Sequence, residues 1–261
     1  MDLRPLGSTG MRVSPLGLGT VKFGRNQQVR YPRPFDLPSD REIGDLLALA
    51  LELGINLLDT APAYGSSQQR LGRLLGAGRG DWIIVSKVGE VFEHGESRFD
   101  FGYAHTIASV EGSLRTLRTD YLDCVLIHSD GHDLRIFEYA GAVDALHELK
   151  RRGLIRAHGM SSKTVDGGLR TVAELDVVMA TCNLDYNDEL AVLEAAAQQS
   201  KGVLIKKGLM SGHIQGADGV ERAFAHVFAQ PGVSSMIVGT INPDHLRSNV
   251  ATLRRVLSTP V

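Results

Sequence analysis

The sequence predicts one α/β domain over residues 1–261, a closed (β/α)8 barrel preceded by a short N-terminal β-hairpin. Three observations predict it. A short apolar run followed by an amphipathic helix recurs eight times. The length of 261 residues suits a single barrel of this kind. No Gly/Ser linker and no shift in composition divides the chain. Strands alternating with helices imply a parallel sheet, and repeated right-handed crossovers close it.

Leu3 to Val13 places Gly-Ser-Thr-Gly between two extended runs, which reads as the hairpin. Ser14 to Thr20 is the first barrel strand. Its Gly17-x-Gly19 pair lacks a third glycine and an immediate helix, so it indicates close backbone packing rather than a dinucleotide loop. Val21 to Pro38 is a long loop carrying Lys22, Phe23, Arg25, Arg30, Tyr31 and Arg33. Ser39 or Asp40 caps the first helix. Its Ile43, Leu46, Leu47, Ala50 and Leu51 fall at helical spacing, and Gly54 ends it.

The unit then repeats. Ile55 to Leu58 precedes a helix near Ser67 to Leu75, and Ile83 to Lys87 precedes a long loop (Gly89 to Tyr103) and a helix near His105 to Arg118. Leu122 to His128 precedes a helix near Glu138 to Arg151, and Ile155 to Ser161 one near Val165 to Glu174. Val177 to Cys182 precedes Glu189 to Ser200, and Val203 to Lys206 a short helix near Gly219 to Phe228. Ser235 to Gly239 leads into the last helix, Pro243 to Val256.

Composition excludes several classes. Net charge is −2 and no long basic run occurs, which points away from nucleic acid and anionic membranes. No window is apolar enough to span a membrane, and the N-terminus lacks a signal core. Cys124 and Cys182 sit in apolar strands and read as reduced core thiols, so a cytoplasmic location is expected. No G-x-S-x-G elbow is present for serine hydrolysis. His128-Ser129-Asp130-Gly131-His132-Asp133 is rich in metal-ligand types, but it lies on a Gly-containing loop with no clear partner strand except that of Asp59, so no metal is expected.

The chemistry concentrates at strand ends. Asp59 ends the second strand, Lys87 the third and His128 the fourth, with Tyr64 on the loop after Asp59. Singly, each reads as a turn, anchor or solvated residue. Together, at matching ends of consecutive strands, they should converge on one face of the barrel. A tyrosine is a weak acid, with an ordinary pKa of about 10. A neighbouring ammonium favours its phenolate, so Lys87 is expected to lower the Tyr64 pKa. Asp59 can hold Lys87, and His128 can donate to a carbonyl oxygen. Such a group can polarise and protonate a carbonyl, but it has no hydride of its own, so reduction needs a nicotinamide coenzyme.

Gly54-x4-Asp59-Thr60-Ala61-x2-Tyr64-Gly65, then Ser86-Lys87, then Leu126-Ile127-His128, resemble in order the signatures of the aldo-keto reductases. The resemblance covers nearly the whole chain. It implies a TIM-barrel NADP-dependent oxidoreductase acting on a small carbonyl compound, with Tyr64 as general acid, Asp59 and Lys87 tuning it and His128 orienting the substrate. It implies NADPH as coenzyme, with NAD the other candidate. Gly159-Met160-Ser161-Ser162 resembles the family's Gly-Val-Ser-Asn segment, which places Ser161 and Ser162 near the nicotinamide carboxamide, with Asn183 on the same amide. Val238-Gly239-Thr240-Ile241-Asn242, followed by His245 and Asn249, resembles the adenosine-phosphate segment, backed by free N–H groups at the helix starting at Pro243. Thr20, Lys206 and Lys207 complete the expected coenzyme set.

The chain departs from the family at three points. Ile205 is expected at the position of the aromatic that stacks on nicotinamide. Gly239, Ile241 and His245 stand where many relatives carry a cation for the 2′-phosphate, which leaves Arg247, Lys206 or Lys207 to compensate. Gln68 replaces a common glutamate, with an effect expected on capping alone. The sequence ends at Val261, just past the last helix, so substrate contacts are expected from loops 21–38 and 89–103, with Phe23, Phe92, Phe99 and Phe101 as candidates. The other reading is a nucleotide-binding regulatory or scaffold barrel with little turnover, as some relatives are.

Overall fold

In the computed structural model, which describes residues 1–258, the chain opens with an antiparallel hairpin of β1 (Arg4–Pro5) and β2 (Arg12–Val13). The last three residues of the expected domain lie outside the described residues. Strand β3 (Leu16–Gly19), helix α1 (Asp40–Glu52), β4 (Leu57–Asp59), α2 (Ser67–Leu74) and β5 (Ile83–Val88) follow. A second hairpin, β6 (Glu90–Glu93) with β7 (Glu96–Phe99), comes before α3 (Tyr103–Leu117) and β8 (Leu122–His128). Next are α4 (Asp133–Tyr139), α5 (Ala142–Arg151), β9 (Ile155–Ser161), α6 (Val165–Glu174) and β10 (Val177–Thr181). The chain continues through α7 (Leu190–Gln198), β11 (Gly202–Lys206), α8 (Gly219–Phe228), β12 (Val233–Val238) and α9 (Pro243–Ser258). Strands β3, β4, β5, β8, β9, β10, β11 and β12 pair in that order, all parallel, and close into a barrel.

Side chains alternate across a strand, so each barrel strand sends one set inward and one outward. Leu57, Val85, Cys124, Leu126, Ala157, Met179 and Leu204 fill the interior. The N-terminal hairpin adds Leu6, Met11 and Val13 to that cluster and plugs the barrel floor. Leu18, Leu58, Ile84, Val125, Ile127, Val178 and Ile205 point the other way, into the larger core beneath the helices. Gly17 faces inward for a steric reason. A Cβ there would lie 2.7 Å from Ile237 Cδ1 and 2.8 Å from Leu57 Cδ2, which bears out the close-packing reading. Ser39 caps α1 in a full capping box with Glu42, an arrangement that stabilises a helix start by about 1 kcal/mol.

Two expectations are corrected. The helix expected over 138–151 is split, because Gly141 takes a left-handed φ of 81° and starts α5 afresh. The loop expected over 89–103 contains the hairpin β6–β7. Its turn residues His94 and Gly95 both have positive φ, 52° and 81°, as a tight hairpin turn requires. Gln68 also does more than expected. It is buried on α2, and its amide donates to Ser86 Oγ at 2.8 Å, tying the helix to β5 beside Lys87.

Candidate active site

Asp59 is the last residue of β4, Lys87 the next to last of β5 and His128 the last of β8. Strand register aligns Asp59 with Val85, Lys87 with Leu126 and His128 with Ser161. Val85 and Leu126 are interior residues, so the same parity turns Asp59, Lys87, His128 and Ser161 inward at the carboxyl end of the barrel. The four expected residues do meet there. Lys87 Nζ pairs with Asp59 Oδ1 and donates to the Thr60 carbonyl at 3.1 Å. Tyr64 Oη donates to Asp59 Oδ2 at 3.4 Å, and its ring meets the His128 ring edge-on, centroids 6.4 Å apart.

The electrostatics correct the expectation for Tyr64. Burial raises its pKa well above the ordinary phenol value, and the charge of Asp59 raises it further, followed by Tyr31 and Glu90. The Lys87 ammonium is spent on Asp59 and Thr60. It lies 4.9 Å from the centre of the Tyr64 ring and makes no hydrogen bond to the hydroxyl. Tyr64 therefore keeps its proton across the neutral range.

Glu90 is a site residue that sequence reasoning missed, because it stands in the segment read as loop. Its Oε2 lies 2.8 Å from His128 Nδ1, close enough to pair although not aligned for a straight hydrogen bond. It also accepts from Ser97 Oγ at 2.6 Å and Arg25 Nη1 at 3.2 Å. Its pKa is lowered to about 2; burial works against that shift and is outweighed by His128, Ser97 and Arg25. Burial lowers the His128 pKa, and Glu90 opposes the shift. Tyr31 was also missed. It lines the cleft, its ring carries Lys22 Nζ at 3.8 Å, and its pKa is pushed up to about 12 by burial and then by Asp59.

These residues floor one cleft, formed of two adjoining cavities of about 880 and 770 Å³. Val21, Tyr31, Tyr64, His128, Ser161, Lys206, Lys207 and Ser211 line both. Lys207 and Ser211 in its wall adopt left-handed φ, of 57° and 56°, as does their neighbour Met210, at 52°. Non-glycine residues held there cost about 1–3 kcal/mol each and cluster at functional sites.

Of the expected coenzyme residues, Ser161, Ser162, Asn183, Lys206, Lys207, Gly239, Thr240, His245 and Asn249 line the cleft. Four do not. Thr20 is buried, and its hydroxyl is taken up by the Asp59 carbonyl and Ser67. Ile205 faces the helices, and Lys206 is the inward neighbour on that strand. Ile241 packs at the edge of the helical core. Asn242 caps α9: its Oδ1 accepts from Asp244 N at 2.8 Å and His245 N at 3.3 Å, so the N–H groups expected to be free are partly used. Asn183 is also engaged, donating to the Lys207 carbonyl at 3.2 Å and accepting from Asp185 N at 3.0 Å. Arg247 is exposed and outside the cleft.

Of the four phenylalanines, Phe99 alone reaches the cleft. Phe23 is wholly buried, Arg25 lies 3.4 Å over the Phe92 ring, and Phe101 packs on the core. Asp133 from the ligand-rich loop is buried and bonded to Ser129, to Lys163 N at 2.9 Å and to Thr164 N and Oγ1 at 2.8 and 2.7 Å. No cluster of three or more metal-ligating side chains occurs among the described residues. Nor is any described helix long and apolar enough to cross a membrane.

The sequence profile of the aldo/keto reductase family matches residues 15–212. The chain is 26% identical to the uncharacterized oxidoreductase YqkF of Bacillus subtilis, over 98% of this chain and 93% of that protein. It is 31% identical to the NADH-specific methylglyoxal reductase of Escherichia coli over 67% of this chain, and spans 57% of that protein. A structure assigned as an aldo-keto reductase from Pseudomonas aeruginosa superposes with a TM-score of 0.91 at 55% identity, over 98% of this chain and 96% of that one. The holo form of an aldo-keto reductase from Bacillus halodurans superposes with a TM-score of 0.83 at 26% identity, over 100% and 92% of the two chains.

Proposed function

The chain belongs to the aldo/keto reductase family, whose members are oxidoreductases that use nicotinamide coenzymes, and from that premise we propose that it reduces an aldehyde or ketone to an alcohol with NADPH. One observation carries the reading. The Tyr64 hydroxyl stands against a buried Asp59–Lys87 pair at the floor of a cleft large enough for coenzyme and substrate. The cleft also suits the coenzyme's polar end, since the Lys206 ammonium lines it, bonded to Ser161 Oγ and the Ser162 carbonyl with a third proton left to place.

In this reading Ser161, Ser162 and Lys206 hold the nicotinamide end, with Asn183 and Lys207 in the wall. Gly239, Thr240, His245 and Asn249 hold the adenosine end. Reduced nicotinamide, when bound, supplies the hydride. Tyr64 gives its proton to the carbonyl oxygen as negative charge builds there. An alkoxide is far more basic than a phenolate, so even a phenol with a raised pKa transfers its proton downhill at that moment. Lys87 holds Asp59, and Asp59 holds the Tyr64 hydroxyl in place. His128, steadied by Glu90, sits beside the ring and orients the substrate oxygen. We take residues 1–261 as one domain and, from the two buried thiols, place the protein in the cytoplasm.

The test is the loss of NADPH absorbance on adding an activated aldehyde such as 4-nitrobenzaldehyde. Wild-type protein should turn over. Tyr64→Phe should lose about 10²–10⁴-fold in kcat while binding NADPH as before. Near-normal turnover in the variant would remove Tyr64 from the reaction. Binding without any turnover across a panel of carbonyls would favour the scaffold reading.

A further inference from the structure

We infer that Lys206 sets which oxidation state of the coenzyme the cleft retains, favouring the reduced, uncharged nicotinamide ring over the oxidised, cationic one. The inference rests on the coenzyme placement proposed above. Lys206 ends β11 and faces inward, lining both halves of the cleft, whereas the expected ring cover, Ile205, faces the helices. Its ammonium donates to Ser161 Oγ at 2.9 Å and to the Ser162 carbonyl, the segment assigned to the nicotinamide end. Both acceptors are neutral, and an ammonium has a third proton to place.

No carboxylate among the described residues makes an ion pair with this ammonium. Glu189, before α7, acts on it from a longer distance, and Glu189 Oε2 has no bonding partner. The Asp133 carboxylate is committed to Ser129, Lys163 N and Thr164. Lys163 and Lys207 add like charge, and His128 faces it across the floor. A positive charge thus stands at the ring end of the cleft without a contact counter-ion. Oxidation adds one positive charge to the ring, and in a poorly screened site two like charges a few ångströms apart repel strongly. Burial lowers the Lys206 pKa to about 8, with Glu189 opposing the shift, so the side chain can shed its proton to relieve that repulsion. By linkage, NADP⁺ binding should release a proton and tighten as pH rises through that value.

The measurement is isothermal titration calorimetry of NADPH and NADP⁺ with wild type, Lys206→Met and Lys206→Arg, at pH 6.5 and 9. Wild type should hold NADPH at least about tenfold more tightly at pH 6.5, with a narrower gap at pH 9. Near pH 8, titrations in buffers of different ionisation enthalpy should show proton release with NADP⁺. Lys206→Met should close most of the gap by binding NADP⁺ better, and the proton release should vanish. Lys206→Arg should keep the gap and lose its pH dependence. An unchanged gap in Lys206→Met, with both forms bound, overturns the inference and leaves the coenzyme reading standing. If a variant does not fold, the wild-type pH and buffer series still decides: a constant gap with no proton release overturns it. Failure of wild type to bind either form overturns the coenzyme reading and this inference with it.

Discussion

The two ends of the barrel each bury an aspartate, and they treat it differently. At the amino end, Asp123 on β8 is saturated. Arg79 Nη2 and Ile84 N donate to its Oδ2 at 2.8 and 2.9 Å, and Arg156 Nη1 to its Oδ1 at 2.9 Å. At the carboxyl end, Asp59 pairs with Lys87 through Oδ1, but its Oδ2 has only the long 3.4 Å bond from Tyr64. The amino end has the apolar hairpin plug. The carboxyl end has a cleft lined by Glu189, whose Oε2 has no partner, and by Lys206, whose ammonium has no contact carboxylate. Asp123 is satisfied by the protein itself. The carboxyl end leaves bonding capacity for something that arrives, which is how a stable scaffold and a reactive site share eight strands.

Substitutions in the two buried ion pairs, Asp59–Lys87 and Asp123–Arg79, should separate these roles, and the largest effect is expected at Lys87. Lys87→Met should lower kcat by about 10²–10⁴-fold. It should also destabilise the fold by about 3–5 kcal/mol, because Asp59 is left buried and unpaired. The double variant Asp59→Asn with Lys87→Met should recover most of that stability and none of the turnover. Recovery of both would mean the pair serves folding alone. Urea unfolding and NADPH oxidation measure the two arms.

The amino end should respond in the opposite way. Asp123→Asn leaves Arg79, with 11% of its side chain exposed, short of its charged partner. A loss of about 3–5 kcal/mol in stability is expected, with unchanged turnover per folded molecule. A selective loss of turnover would break the division between the ends.

Much of that division was legible beforehand. Residues with chemistry at the ends of consecutive apolar runs can converge only if the strands are parallel, so Asp59, Lys87 and His128 were readable from position alone. What failed has identifiable causes. Val203, Leu204 and Ile205 form an unbroken apolar run buried on both faces, so no alternation shows which neighbour faces inward. Lys206 thus holds the place given to Ile205. Glu138 to Arg151 has an uninterrupted helical pattern, and the break at Gly141 depends on a backbone angle that pattern does not encode. The Tyr64 shift turned on distance: Lys87 lies near the ring, but its bonds go to Asp59 and Thr60.

Glu90 offers a smaller and pH-dependent test at the carboxyl end. Its carboxyl is held at about 2, below the ordinary 4.5. A lowered carboxylate stabilises the fold above its unfolded pKa, and that contribution fades as pH falls toward the folded value. Wild type should lose on the order of 2 kcal/mol between pH 4.5 and 2 through this group. Glu90→Gln should lack that part of the acid sensitivity. Glu90 also favours charge on His128, so any activity limb set by His128 should move to lower pH in the variant. Identical acid unfolding and an unmoved limb would make the contact incidental.

The smallest effect concerns the end of the cleft proposed above to hold the adenosine, where NADPH and NADH would differ by one phosphate. A 2′-phosphate is best discriminated by a charged, preferably bidentate, partner. On β12 and α9 that end offers His245, Ser248 and Asn249 beside Gly239 and Thr240, none a permanent cation; the cations lining this half of the cleft, Lys22 and Arg33, come from loop 21–38, and Lys22 is set on the Tyr31 ring. Arg247 is exposed away from the cleft, and Asn242 already takes two N–H groups of the α9 start. The helix dipole still favours an anion there, by about 0.3–1 kcal/mol at an exposed site. NADPH should therefore be preferred over NADH by only a few-fold. His245→Arg places a permanent guanidinium at the cleft edge and should widen that preference by about tenfold, through tighter NADPH binding with NADH unchanged. Titration of both coenzymes against both proteins measures it. If His245→Arg tightens both coenzymes equally, the 2′-phosphate does not reach His245. If wild type binds NADH more tightly, the cleft prefers the coenzyme without that phosphate.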